Sequence, residues 1–85
     1  MQGPYKAGQK VRVKTSEEID QLIVDYDATG PLLSGGMHFY EKMRRTCGKI
    51  GTVVGPDTHN PPVKFKGIRM YYMPDETIDP VNDES

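Results

Sequence analysis

The 85 residues carry 11 Lys and Arg against 12 Asp and Glu, a formal net charge of −1, with one Cys and no Trp. A chain of that length makes one small domain, whose core supplies about 3–5 kcal/mol without staples. A single cysteine excludes an internal disulfide framework and a Cys-rich zinc site, and the near-neutral charge argues against a dedicated nucleic-acid binder.

No apolar run approaches the roughly 18–20 residues of a membrane span. The opening stretch MQGPYKAGQK lacks the apolar segment of a signal peptide. The expectation is a cytoplasmic protein that avoids membranes, in keeping with a lone thiol. Charge is unevenly spread: every Lys and Arg lies between Lys6 and Arg69, and the segment after Tyr72 holds five acids and no base. A local basic face is therefore compatible with the balance.

Residues 10–15, KVRVKT, alternate Val11 and Val13 with Lys10, Arg12 and Lys14, the period of a strand with one buried face. Thr15 and Glu18 have capping-box spacing. Ile19, Leu22, Ile23 and Tyr26 recur at i, i+3, i+4 and i+7, which predicts a helix over 16–26. Glu17, Glu18 and Asp20 suit its positive end. Gly30-Pro31 and Gly35-Gly36 break the period, so 27–37 reads as a loop. Leu32 and Leu33 within it either cap one end of the core or stand out as an anchor.

Phe39, Met43 and Cys47 are four apart and predict one side of a second helix. Gly48 follows where a left-handed cap is expected, and Arg44 and Arg45 suit the negative helix end. Strands are expected over 49–55, 63–67 and 68–73, with a last short one near Ile78. The whole of 1–85 is one domain, with an ordered core over 5–79 and a frayed acidic tail over 80–85.

Cys47 has two readings, nucleophile or small buried residue beside a glycine cap. With no local signature linking it to His38 or His59, the buried reading is preferred. Two His and one Cys without clustered spacing make a poor ligand set, so no metal is expected. The carboxylates fall in helix caps or the tail, and neither SGGMHF nor GKIG has phosphate-loop spacing. Neither an enzyme nor a cofactor is expected.

Two surfaces remain. Lys10, Arg12 and Lys14 share one side of a strand, as do Lys64 and Lys66; as neighbours these strands would form a basic face for phosphates. Tyr71 and Tyr72 are adjacent and point to opposite faces. With Ile68, Met70 and Tyr72 inward, Arg69, Tyr71 and Met73 are expected outward. Together with Pro74, His59 in the 56–62 loop and PLLSGG, they form the expected partner surface, which Tyr5 or Tyr40 would extend.

The segments AGQKVRV (7–13), CGKIGTVV (47–54) and YYMPDETI (71–78) resemble the SH3 repeats of Mind bomb-type ubiquitin ligases. Those repeats have a GDxVRV opening strand, a GxxGxV strand and an aromatic strand ending in a Pro-Glu turn. Gln9 stands where the family often has Asp, and Asp75 or Glu76 falls in the acidic place. Phe39, Met43, Cys47, Gly48, Lys49, Gly51, Thr52 and Val53 are also similar to the F-x-x-x-M-x-x-x-C-G-K-x-G-T-V core of small phage and bacterial proteins of unknown role. The resemblance spans residues 5–79. It implies an α+β domain, a small SH3-like five-stranded β-barrel with one or two helices inserted after the first strand. It further implies a binding module, because such repeats bind peptide tails of ligase substrates. The phage likeness implies an accessory protein that docks on and modulates a partner macromolecule. The expected partner is a protein, the alternative a nucleic acid on the basic face, and the expected state a monomer or a weak homodimer through edge strands.

Overall fold

A computed structural model describes residues 5–55 and 59–81. The architecture is α+β. Five strands form one open antiparallel sheet: β1 (Lys10–Val13), β4 (Ile50–Val53), β5 (Pro62–Phe65), β6 (Ile68–Tyr72) and β7 (Ile78–Pro80), in the order β6-β5-β4-β1-β7. Between β1 and β4 runs an excursion holding α1 (Ser16–Leu22), the hairpin β2 (Ile23–Tyr26) and β3 (Pro31–Leu33), and a 3-10 helix, Glu41–Thr46. Among the described residues no helix is long and apolar enough to cross a membrane.

β1 forms as its alternation demands. Val11 and Val13 are fully buried and Lys10 and Arg12 exposed. α1 begins at the expected cap: the Thr15 hydroxyl accepts from Glu18 N (3.2 Å) and Glu18 Oε1 accepts from Thr15 N (2.9 Å). The helix ends at Leu22, however, four residues short of the expected end, and Val24 and Tyr26 are 62% and 68% exposed. The turn after it decides this. Asp27 and Gly30 exchange both backbone hydrogen bonds (3.1 Å each), and Asp27 Oδ1 accepts from Thr29 N (2.8 Å). That aspartate-closed turn folds Pro31–Leu33 back onto Ile23–Tyr26, and the stiff β-branched pair Ile23-Val24 accepts the strand readily. The expected loop over 27–37 therefore contains β3. Leu33, at its end, is buried as a cap of the core.

The second expected helix is a six-residue 3-10 segment, with Phe39 lying before it in an extended stretch. Phe39 N donates to Pro31 O (3.1 Å), and the ring is fully buried. Met43 is buried too, while Cys47 is half-buried at the end of the segment. Gly48 takes the left-handed φ of 78° expected of it and donates to Val13 O, delivering the chain to β4 beside β1. At the C-terminal end β7 extends through Pro80, and Val81 N donates to Lys10 O (3.0 Å). The expected fray thus begins later than residue 80, and its remainder, 82–85, lies outside the described residues.

Two carboxylates of the excursion set an acid limit on stability. Glu18 is held below its usual 4.5 by the backbone and hydroxyl of Thr15, and Asp27 below its usual 3.8 by the His38 hydrogen bond and the turn amides. A depressed native pKa means stabilisation that is complete above the unfolded value and lost as pH falls through the native one. The melting temperature is therefore expected to fall as pH is lowered through and below 4.5 and 3.8. Glu18→Gln with Asp27→Asn should be less stable at neutral pH and lose less on acidification, which thermal melts across pH would check.

Candidate functional site

The partner surface predicted on β6 is inverted. Tyr71 is 8% exposed and Met73 fully buried, whereas Tyr72 is 62% exposed and Met70 is also exposed; Pro74 is buried. A bulge explains this. Val63 pairs with Tyr71 and Phe65 with Ile68, so two steps along β5 match three along β6. The extra residue turns both Arg69 and Met70 outward and flips every position after them. Of the predicted partner residues, Arg69 and His59 are exposed and Tyr71, Met73 and Pro74 are core. Ile68 and Met73 are five apart and share one face only because of the bulge, which strand parity in the sequence does not reveal.

His59 does not stand on an open surface alone. Its Nδ1 lies 2.7 Å from Asp75 Oδ2. Asp75 Oδ1 accepts from Asn60 N (2.7 Å), while Asp75 N donates to Asn60 Oδ1 (3.0 Å). This reciprocal clamp holds Asn60 at a φ of 52°. The rest of the predicted interaction loop, 56–58, lies outside the described residues. Glu76 is a second clamp, accepting from Ser34 Oγ (2.6 Å) and Gly35 N (2.7 Å) and tying PLLSGG to the end of the sheet. A Cβ at Gly35 would meet only that carboxylate, which would have to shift to admit it. Glu76→Ala is expected to cost about 1 kcal/mol for these partly solvated bonds, and hydrogen exchange at the Gly35 amide should accelerate.

The register flip builds a groove instead. It holds about 480 Å³ between residues 36–43 and β6, with Met43 and Tyr71 as its buried floor. One wall is Tyr40 and His38, whose rings stack with centroids 5.9 Å apart and 12° between planes. His38 Nε2 is held 2.9–3.0 Å from the Asp27 carboxylate, which ties that wall to the hairpin turn. The opposite wall is Met70 and Tyr72, with Arg69 and Lys42 at the rim. No Asp or Glu lines the groove among the described residues. Of the groove aromatics, Tyr40 and Tyr71 are expected on a surface, and Tyr71 instead forms the buried floor; Lys42 has no predicted role, and Met70 and Tyr72 are expected in the core.

The basic face forms in reduced form. β4 separates β1 from β5, but Lys10 pairs with Thr52 and Thr52 with Lys64, so one row crosses three strands on the outer side. Two strand spacings put the two lysines roughly 10 Å apart at the backbone. Arg12 lies on the same side, opposite Ile50. Lys14 is neutralised by Asp79 (3.0 Å), and Lys66 sits in the β5–β6 turn rather than on the strand. Three of the five predicted cations share the face.

Burial pushes the Cys47 thiol up, with the Arg44 guanidinium only partly opposing it. That is the reverse of what activates a nucleophilic cysteine. Among the described residues no three His, Cys, Asp or Glu converge closely enough to hold a metal ion. No protein-family model, curated protein or solved structure shows a significant match to this chain.

Proposed function

We propose that the chain is a non-enzymatic protein-binding module, an accessory protein that docks on and modulates a partner macromolecule through the groove between residues 36–43 and β6. The observation that carries this reading is the groove itself. It joins exposed aromatic and thioether side chains over a buried apolar floor. Aromatic residues, Met and Arg are the types enriched at protein interfaces. The wall is also pre-shaped, because the Asp27–His38–Tyr40 chain fixes it before any partner arrives, and less ordering entropy is lost on docking.

The likeness to SH3-like barrels belongs to the same proposal. Five strands in meander order, with the last returning beside the first, support it, whereas the long excursion after β1 departs from the compact repeats. The excursion supplies one whole wall of the groove, so docking would use a surface that compact repeats lack.

The test is affinity capture from a bacterial lysate with and without nuclease, using the wild type and Tyr40→Asp/Met70→Asp. A stoichiometric protein that survives nuclease and is lost with the groove variant is the expected result. A second reading, nucleic acid on the outer face, is favoured only by the Lys10–Thr52–Lys64 row and Arg12. It predicts capture that is lost on nuclease treatment, falls steeply with salt and disappears in Lys10→Glu/Lys64→Glu.

A further inference from the structure

We infer that the occupant of this groove is an acidic, extended segment of a partner protein, carrying at least one large apolar side chain. The inference rests on reading the groove as a docking site and adds the chemistry of what docks.

Charge complementarity carries it. The chain has 12 acidic residues, yet none of those described lines the groove, while Lys42 and Arg69 both do. Neither cation is spent internally. The described ion pairs engage Lys14, His38, Arg44 and His59, and among the described residues no side-chain hydrogen bond or ion pair involves Lys42 or Arg69. Two uncompensated cations over a low-dielectric floor give a positive potential that selects anionic partners and repels basic ones. The bulge matters here, since it turns Arg69 and Met70 outward side by side, a cation next to an apolar contact.

The floor and walls specify the remainder of the ligand. Met37, Met43 and Met70, three of the chain's five methionines, line the groove. Thioether chains repack around varied apolar side chains, as at other adaptable binding surfaces. Tyr40 and Tyr72 add rigid amphipathic walls. A polyanion would instead want a longer cationic track and no such floor. β6 is the terminal strand of its sheet, and among the described residues its backbone bonds only to β5. An extended segment can therefore lie alongside it.

The test is to pan a displayed random octapeptide library against the full chain. Enriched sequences are then measured as synthetic peptides by fluorescence anisotropy against the wild type, Lys42→Glu/Arg69→Glu and Tyr40→Asp/Met70→Asp. The expected consensus is net acidic with a large apolar residue. Replacing its acids by amides, or reversing both rim charges, should each weaken binding by roughly two- to thirtyfold, as two lost rim attractions imply. The amide peptides keep the test valid even if a protein variant misfolds. A neutral or basic consensus that still fails on Tyr40→Asp/Met70→Asp would leave the docking site standing and overturn its acidic specificity. Enrichment that the folded Tyr40→Asp/Met70→Asp variant retains, or no enrichment at all, would overturn the docking reading and this inference with it.

Discussion

Gly51→Ala is expected to remove a large share of the protein's stability. Gly51 sits in β4 opposite Val11, in the middle of the five-stranded sheet, and its inward side faces β5. A Cβ there would lie 2.6 Å from Val63 Cγ1 and 2.8 Å and 2.9 Å from atoms of the Phe65 ring. Both neighbours are buried core residues and have no solvent to retreat into. Overpacking of this kind costs about 1–3 kcal/mol, against about 3–5 kcal/mol for a core of this size. A loss of 2–3 kcal/mol corresponds to a melting temperature lower by about 10–20 °C. Gly48 provides the contrast. It has a φ of 78° and nothing within 4 Å of an added Cβ, so Gly48→Asn, which tolerates that conformation, should cost far less. Thermal melts of both variants check the pair. Equal, small losses would mean that β4 and β5 are not this close at Gly51.

Phe39→Ala is expected to cost about 3–5 kcal/mol, the range for emptying a buried aromatic site, and so to unfold much of the population at room temperature. Phe39 is fully buried in the same core cluster as Leu33, Met43, Val53 and Phe65. It is also the point where the stretch leading to the groove wall is pinned, through its own N–H, to Pro31. Phe39→Leu keeps the apolar volume better and should cost less than half as much. Urea unfolding gives the two free energies, and amide spectra report whether residues 36–43 loosen first. A loss below about 1 kcal/mol for the alanine variant would contradict this packing.

These two residues are legible from sequence in different degrees. Phe39 and Met43 read as core from their spacing, although the segment after Phe39 is 3-10 rather than α. Period-two alternation suffices for β1 and β5, because hydrophobic burial alone sets their faces. Alternation fails on β6, since a bulge is a property of the pairing with β5 and leaves no residue type of its own. It fails likewise at 23–26, where Ile23 and Tyr26 fit the helical period of Ile19 and Leu22. There the Asp27–Gly30 turn, through hydrogen bonds to a partner strand, outweighs local periodicity. The groove was hidden for the same reason. Its walls come from residues some thirty positions apart, and only the inverted register brings Met70 and Tyr72 to face Tyr40. The clamps at Asp75 and Glu76 are invisible as clamps in the sequence, where one or the other is expected only to fill an acidic place.

The most direct test of the central claim is a chemical-shift map of the isotope-labelled chain, titrated with the protein it captures. The groove account predicts perturbations concentrated in residues 36–43 and 68–72, with Lys10, Arg12, Thr52 and Lys64 unmoved. Perturbations confined to that outer row, with the groove silent, would contradict it and transfer the function to the basic face.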